Sequence, residues 1–253
     1  MSGVPEVNAL ARRAGHLGPL TRVGHKGAAT VAPGNTIASF EAALALDVDM
    51  IEFDVLPLAD GRLVLAHDYE ATAGPAPPLG LHEGLDHLAG AEYAGLGFDV
   101  DLKLPGYERE VIEALREREL TERALLSTTF PESLARLGAL APGVARGWSV
   151  PRARRDYTRS RLAAGPAYAY LRWMRRRLPG RARQMLEAGR CEALMAYWRL
   201  VDPALVTAVH HAGGRLFAWT VDEAERIAAL EALGVDGVIT NDPRLFSPRP
   251  STV

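Results

Sequence analysis

The sequence predicts a single α/β domain folded as a parallel (β/α)8 barrel. Short apolar runs alternate with longer amphipathic segments, which indicates about eight β units separated by helices. The length of 253 residues is one that a single barrel routinely takes. A doubly wound open sheet is the alternative, but no Gly-x-Gly-x-x-Gly loop follows the first predicted strand. The barrel is therefore predicted to span residues 20–248, after an N-terminal extension at 1–19.

The predicted strands are short apolar runs bounded by glycine, proline or polar residues. Two stretches, 56–59 and 62–66, flank the turn signal Asp60-Gly61, so a hairpin-like extension of the second β unit is expected. The predicted strands of the barrel are 20–24, 50–55, 98–102, 124–127, 144–150, 192–197, 215–221 and 235–240.

The predicted helices follow these strands and begin at residues that favour a helix N-terminus. Asn35 or Thr36 can cap the first helix, and Asp202 can cap a later one that starts with proline. Asp222 is expected to cap the helix that follows it. The predicted helices are 37–46, 106–119, 131–140, 202–212, 223–233 and a short one from 243.

Two segments interrupt the regular alternation of strands and helices. Segment 70–97 is rich in proline and glycine and is predicted to be a loop insertion after the second β unit. Segment 152–190 carries twelve arginines, two acidic residues and several aromatic residues, and is predicted to be a basic helical insertion after the fifth strand. Such a composition suits an interfacial helix on an anionic lipid surface. The alternative is a solvated outer helix whose arginine stems cover the barrel.

Charge and cysteine content exclude several classes of protein. A formal net charge of −2, without a nucleic-acid motif, argues against a nucleic-acid binder. With Cys191 as the only cysteine, the chain has neither a disulfide framework nor a cysteine-based zinc site. The N-terminal stretch lacks the apolar core of a signal peptide, and no apolar run approaches the length of a membrane span. A cytoplasmic location is therefore expected.

Two carboxylates stand two residues apart in an apolar strand. Glu52 and Asp54 share one face of the strand, which is the interior face in a barrel. Two buried carboxylates repel each other unless a cation lies between them, and hard oxygen ligands suit Mg²⁺ or Ca²⁺ better than zinc. The alternative is a solvated edge strand with alternating acids, which the apolar residues on both faces disfavour.

The next predicted strand repeats this pattern. Asp99, Asp101 and Lys103 share one face, so Asp101 can complete a metal site and Lys103 can contact a phosphate as a point charge. An Asp–Lys pair at this spacing is equally compatible with a structural ion pair at the barrel mouth.

Two histidines lie at or next to the ends of predicted strands. A lone histidine there is more often a hydrogen-bonding or capping residue, but His25 and His67 flank the carboxylate pair. Imidazoles titrate near neutrality, so one can accept a proton while the other donates one. Lys26 adds a cation beside His25. A cation site with two histidines and two lysines predicts a site for a phosphate ester.

These residues fall within short motifs spread along nearly the whole chain, from residue 23 to residue 243. In order, the motifs are Gly24-His25-Lys26-Gly27, Pro33-Gly34-Asn35-Thr36, Glu52-Phe53-Asp54-Val55, His67-Asp68, Asp101-Leu102-Lys103, Trp219-Thr220-Val221-Asp222 and Gly237-Val238-Ile239-Thr240-Asn241-Asp242-Pro243.

Through these motifs the chain resembles the glycerophosphodiester phosphodiesterases. The resemblance implies a TIM barrel, a divalent metal ion, and hydrolysis of a phosphodiester to a phosphomonoester and an alcohol. It implies His25 and His67 as the acid/base pair and Lys103 as a phosphate contact. It also implies three metal ligands, Glu52, Asp54 and Asp101.

The chain departs from the family pattern at three positions. Lys26 replaces the usual arginine, so bidentate gripping of phosphate is lost. Gly34 replaces a glutamate, and Asp101 replaces a longer glutamate. The spider-venom-type sphingomyelinase D phospholipases look similar in using Glu, Asp and Asp at their metal, but the C-terminal motifs fit the phosphodiesterases better. Segment 70–97 also lacks the family's threonine-rich pattern, so the sequence defines the reaction better than the substrate.

Two residues near the C-terminal strands complete the expected site. Trp219 is expected to form a pocket wall, with barrel-core packing as the alternative. Asn241 is either a secondary polar contact or part of a helix-capping turn.

The resulting hypothesis is a metal-dependent phosphodiester hydrolase. Its substrate is a glycerophosphodiester, with Lys26 and Lys103 on the phosphate oxygens and Trp219 in the pocket. One alternative is a lysophospholipase D-type enzyme that acts on lysophospholipids at a membrane surface, which segment 152–190 would contact from the cytoplasmic side. The other is a non-catalytic barrel that binds phosphate or lipid.

Overall fold

The computed structural model describes residues 19–74, 76–152 and 164–248. These residues form nine strands and seven α-helices. The strands are β1 (Thr21–His25), β2 (Met50–Pro57), β3 (Leu63–Leu65), β4 (Gly97–Leu102), β5 (Ala124–Thr128), β6 (Ala145–Val150), β7 (Ala193–Tyr197), β8 (Arg215–Trp219) and β9 (Gly237–Thr240). The helices are α1 (Ile37–Ala45), α2 (Leu81–Leu88), α3 (Glu108–Arg116), α4 (Pro131–Leu140), α5 (Ala164–Glu187), α6 (Pro203–His211) and α7 (Ala224–Leu233).

Eight of the strands close into a parallel barrel, which confirms the predicted (β/α)8 fold. The sheet runs β1-β9-β8-β7-β6-β5-β4-β2, and β1 also pairs in parallel with β2. Strand β3 lies outside the barrel and pairs antiparallel with the C-terminal half of β2. The hairpin-like extension is thereby confirmed, and it carries the chain to His67.

Alternating side chains of the strands form two apolar layers. One lies inside the barrel and includes Val23, Met50, Leu125 and Phe217, all at most 1% exposed. The other lies between the strands and the surrounding helices. The interior layer leaves the polar residues at the carboxyl ends of β1, β2 and β4 to face the mouth of the barrel.

The prediction that segment 70–97 is a loop was wrong for its second half. Its second half contains α2, whose Leu81, Leu85 and Leu88 are fully buried in the outer core. Their spacing of four and three residues places them on one face of a helix. The proline- and glycine-rich part before α2 concealed this periodicity. A Cβ added at Gly84 would lie 2.7 Å from Leu65 Cδ1, so α2 packs closely against β3.

The predicted cap of the last barrel helix was also wrong. Helix α7 begins one residue later than expected, with Glu223 at its N-cap position. Asp222 instead accepts hydrogen bonds from the backbone and side chain of Asn241 and from the Thr240 hydroxyl. A partner from β9 has therefore replaced the local capping interaction.

Helix α5 follows the fifth barrel strand, so the basic segment is helical as predicted. It is the described helix between the neighbouring barrel strands β6 and β7, however, and therefore belongs to the barrel instead of being an insertion. Leu171, Leu178 and Leu186 are buried against the neighbouring helices and strands. Four of the arginines counted in this segment, at 154, 155, 159 and 161, lie outside the described residues, as does nearly all of the predicted N-terminal extension. Within the described residues, none of the helices combines the length and the apolar character needed to cross a membrane.

Candidate active site

A cavity of about 170 Å³ lies at the carboxyl ends of the barrel strands. Six of the residues singled out from the sequence line it: His25, Glu52, His67, Asp101, Lys103 and Trp219. The remaining lining residues are Asp99, Ser127, Thr129, Ser149, Pro151, Met195, Thr220 and Ile239.

Three carboxylates converge beside this cavity. Asp54 on β2 and Asp101 on β4 are directly opposite each other in the parallel register, and Glu52 lies two residues earlier on β2. One oxygen from each carboxylate lies within 4.8 Å of the other two. Glu52 and Asp54 are 4% and 0% exposed. Three hard oxygen donors gathered around one point, two of them almost out of water, fit a divalent cation.

Lys103 lies between two of these carboxylates. Its Nζ is 2.6 Å from Asp54 Oδ1 and 2.7 Å from Asp101 Oδ2. Burial would lower the pKa of Lys103, but the charges of Asp101, Asp54 and Glu52 outweigh it and raise that pKa. Burial would likewise raise the pKa of Asp54, but Lys103 and the two histidines hold it below its usual range. The Asp101–Lys103 ion pair, which the sequence allowed as an alternative to metal binding, is therefore present.

Glu52 is held on the other side of the cluster by β1 and the turn after it. Its Oε2 accepts the backbone N–H of Lys26 at 2.8 Å and lies 3.8 Å from His25 Nε2. Burial and the negative charge of Asp54 raise the pKa of Glu52 well above its usual value. The Lys26 side chain is absent from the described lining of the cavity, so its phosphate contact stays a prediction.

His25 is oriented by Asn241 at the end of β9. The His25 Nδ1 lies 2.6 Å from Asn241 Oδ1, while Asn241 Nδ2 donates to Asp222 Oδ2 at 2.8 Å. Because a carboxylate can only accept, the Asn241 oxygen must face His25, and the neutral ring must carry its proton on Nδ1. The Nε2 lone pair then faces the cavity. Burial and the charge of Lys26 lower the pKa of His25 to about 4.

His67 occupies the more open side of the mouth. It follows β3 rather than a barrel strand, and its side chain is 47% exposed. Its Nδ1 lies 3.0 Å from Asp68 Oδ2, and this contact lowers the pKa of Asp68. Asp68 is fixed in turn by the backbone N–H of Ala71, which donates to Oδ1 at 2.9 Å. Both histidines therefore bond through Nδ1 and can present Nε2 to a ligand.

Asn35 is a site residue that the sequence suggested only as a helix cap. Its Nδ2 donates to Asp54 Oδ2 at 2.9 Å, and its Oδ1 accepts the Asp54 backbone N–H at 3.1 Å. Its φ of 60° lies in the left-handed region, which asparagine tolerates better than most residues. Asn35 therefore fixes the orientation of the central carboxylate. The N-cap residue of α1 is Thr36, whose side chain accepts the backbone N–H of Ser39.

The departures at Lys26 and Gly34 lie in direct contact. A Cβ added at Gly34 would meet the Lys26 Cβ at 2.9 Å, so the lysine side chain covers the space that a longer residue would need. The two changes from the family pattern are thus one local rearrangement beside the carboxylates.

Trp219 forms one wall of the cavity at the end of β8. Its Nε1 donates to the Met195 carbonyl at 2.8 Å, and its ring packs at 5.7 Å against Tyr197. Opposite lies Asp99, whose pKa burial raises to about 8. The tryptophan that the sequence placed in the pocket lines the cavity from a rigid support.

The fold and the site together define a class of protein. A (β/α)8 barrel with three converging carboxylates, a lysine and two histidines at its catalytic face is a barrel hydrolase built to act on an anionic ester.

A family model assigns the chain within that class. The model for the glycerophosphoryl diester phosphodiesterase family matches residues 25–76 and 98–245. The chain belongs to this family and is a phosphodiesterase.

Three similar proteins match the chain over almost their whole length. A glycerophosphodiester phosphodiesterase of Caldanaerobacter subterraneus subsp. tengcongensis is 27% identical and covers 87% of this chain and 93% of its own. The crystal structure of a candidate glycerophosphoryl diester phosphodiesterase from Silicibacter pomeroyi superposes with a TM-score of 0.73 at 22% identity, covering 95% and 96% of the two chains. A phosphodiesterase of Oleispira antarctica, solved with its product sn-glycerol-3-phosphate, has a TM-score of 0.65 at 23% identity, covering 88% and 94%.

Proposed function

We propose that this enzyme hydrolyses a glycerophosphodiester to glycerol phosphate and an alcohol, with a divalent cation held by Glu52, Asp54 and Asp101. The observation that carries the proposal is the convergence of these carboxylates beside His25 and His67 at one mouth of the barrel. The product bound to the Oleispira antarctica relative supports the same product here.

The oxygen-only donor set supports Mg²⁺ or Ca²⁺ as the cation. Such a cation, when bound, polarises the phosphoryl group and neutralises the charge that develops on its oxygens. Lys103 shares the carboxylates Asp54 and Asp101 and lines the cavity. Its ammonium group is therefore placed to turn toward a nonbridging oxygen of the substrate, with Lys26 as a second cation nearby.

His25 is the proton acceptor in this proposal. Its Nδ1 proton is engaged by Asn241, so only Nε2 can take a proton from the nucleophile. The nucleophile is water or a neighbouring hydroxyl of the substrate. In either case its oxygen forms a bond to phosphorus, the bond to the leaving oxygen breaks, and the released proton passes to His25. With water as nucleophile the product is glycerol phosphate directly. With the neighbouring hydroxyl the first product is a cyclic phosphate, which a water molecule then opens to glycerol phosphate.

His67 is the proton donor. Its protonated ring gives a proton from Nε2 to the departing alkoxide, which leaves as the alcohol. Asp68 accepts the Nδ1 hydrogen and stabilises the charged ring before transfer. Trp219 then contributes a rigid apolar wall against the substrate's organic part.

Leaving-group chemistry tests these two roles separately. Against a soluble glycerophosphodiester, His25→Ala and His67→Ala are each expected to lose about 100-fold or more in turnover. Against a p-nitrophenyl phosphodiester, whose leaving group departs without a proton, only His67→Ala should recover. Circular dichroism controls for folding. Full activity of either variant on the natural type of ester, or recovery of His25→Ala instead, would contradict the assignment.

A second candidate substrate is a lysophospholipid at a membrane surface. The outer side of α5 supports it: Tyr170 and Trp173 stack at 5.9 Å and are about half exposed, beside Arg176 and Arg177. Membrane contact through this helix would place the enzyme at the cytoplasmic side. Comparing turnover of lysophospholipid vesicles with that of soluble glycerophosphodiesters decides between the substrates. The absence of both metal uptake and hydrolysis of either substrate would instead favour a non-catalytic barrel that binds phosphate or lipid.

A further inference from the structure

A second cavity, of about 510 Å³, lies outside the barrel between α5, the turn after β7, and α7. It is three times larger than the catalytic cavity, and the two share no lining residue. Its described lining contains no carboxylate and no histidine, so it offers no acid/base chemistry. This groove is therefore a candidate for binding rather than catalysis.

Four arginines line the groove, and only two have a carboxylate partner. Arg175 Nε lies 3.1 Å from Asp202 Oδ2, and Arg226 pairs with Glu223 at 2.8 Å. Arg172 and Arg199 pair with no carboxylate among the described residues. Two positive charges are thus left to attract an anion.

The guanidinium groups are held in position by Trp198. Arg226 lies 3.6 Å from the centre of its indole ring, and Arg199 lies 4.2 Å from it. The Nε of Arg226 is buried and meets no hydrogen-bond acceptor within the described chain. The indole ring thus positions two of the four arginines that line the groove.

The remaining lining is apolar. Leu171 and Leu230 form part of the floor, and Tyr168, nearly half exposed, stands at the edge. A free inorganic anion leaves such a surface wet, whereas an anion attached to a hydrocarbon chain covers it. The stacked Tyr170 and Trp173 on the outer side of the same helix are placed to enter a lipid interface.

We propose that this groove binds the phosphate headgroup and upper acyl chain of an anionic phospholipid in a bilayer. The site stands apart from the proposed hydrolysis, since none of its lining residues lines the catalytic cavity. Lipid bound in the groove would nevertheless fix the distance between the catalytic cavity and the bilayer surface. Trp198 contacts Tyr197, which contacts Trp219 in the catalytic wall.

The probe is decyl phosphate below its micelle concentration, titrated calorimetrically into the full-length protein beside inorganic phosphate. Arg172→Glu and Arg199→Glu should each weaken decyl phosphate binding by more than about tenfold, the usual worth of an arginine–phosphate contact. Arg176→Glu is the matched control. It makes the same charge change four residues along α5, at an exposed arginine outside the groove. It should change binding less than about twofold.

Vesicle flotation provides the second arm. The wild type should float with phosphatidylglycerol-containing vesicles but not with pure phosphatidylcholine, and Arg172→Glu should stay at the bottom. Hydrolysis of a soluble glycerophosphodiester should be unchanged in Arg172→Glu and Arg176→Glu, which separates this site from the catalytic one. Equal weakening by Arg176→Glu, equally tight binding of inorganic phosphate, or binding of decyl phosphate without flotation would each overturn the proposal.

Discussion

Asn241 Oδ1 lies 2.6 Å from His25 Nδ1, although the two residues are 216 positions apart in the sequence. Asp222 fixes this contact by accepting both the backbone and the side-chain N–H of Asn241. The barrel closure between β1 and β9 brings the residues together. A carboxylate on one loop thus decides which nitrogen of a histidine on another faces the cavity.

The first prediction concerns the hydrogen bonds that link Asp222, Asn241 and His25. Asn241→Ala should lower kcat by about 10- to 100-fold with little change in KM, the usual cost of removing a group that orients a functional imidazole. The double variant Asn241→Asp/Asp222→Asn exchanges the two side chains. The new carboxylate at position 241 can still accept the His25 Nδ1 hydrogen, and it can also accept a hydrogen bond from the new amide at position 222. This double variant should recover most of the activity. Steady-state kinetics of the single and double variants measure this, and a double variant no better than Asn241→Ala would show that orientation is not the role.

The second prediction concerns Lys103, whose ammonium group lies between two of the proposed metal ligands. Lys103→Met removes a charge that competes with the cation for Asp54 and Asp101, so the affinity for Mg²⁺ or Ca²⁺ should rise. Turnover should nevertheless fall, because the phosphate loses its lysine contact. Metal titration by calorimetry measures the change in metal affinity, and an activity assay at saturating metal measures the change in turnover. A fall in both quantities would mean that Lys103 supports the metal site instead of competing with it.

A third prediction concerns metal removal. Chelation should abolish hydrolysis and lower the melting temperature, because any ligand bound only by the folded state stabilises it by mass action. Asp54→Asn should bind metal more weakly than the wild type and lose most of this thermal shift. Unchanged activity after exhaustive chelation would remove the cation from the mechanism.

The fourth prediction concerns Asn35. Asn35→Ala leaves the buried Asp54 N–H without an acceptor and places alanine at a φ of 60°, so unfolding should become easier by about 3 kcal/mol. Asn35→Gly loses the same hydrogen bonds without the backbone strain and should be about 1 kcal/mol less damaging. Urea denaturation compares the two variants. Equal stabilities would indicate that the backbone conformation at this turn relaxes at no cost.

The fifth prediction tests the helix that replaced the expected loop. Leu85→Ala should lower the free energy of unfolding by about 2–5 kcal/mol, because this side chain is 1% exposed in the outer core. Glu83→Ala, on the exposed side of the same helix, is the control and should change stability by less than about 0.5 kcal/mol. Similar effects of the two substitutions would argue that α2 is not part of the core.

The fold followed from local pattern because barrel strands are buried on both faces. Continuous apolar runs such as β5 and the proline at the start of α4 are visible without any long-range information. Local pattern does not reveal α2, because turn-forming residues outnumber its periodic leucines in segment 70–97. The Asp222 cap was misread because local rules favour a neighbour, whereas the closed barrel offered Asn241.

The barrel, the paired acids of β2 and β4 and the histidines beside them are predictable from sequence alone, because each follows from short-range spacing and strand period. Three relationships are visible only in the folded chain: Lys103 lies between Asp54 and Asp101, Asn241 orients His25, and the Lys26 backbone contacts Glu52. Only the tertiary structure also revealed the arginine-lined groove between α5 and α7. These relationships join residues on different strands and helices. Their distances depend on how the barrel closes, which no local pattern encodes.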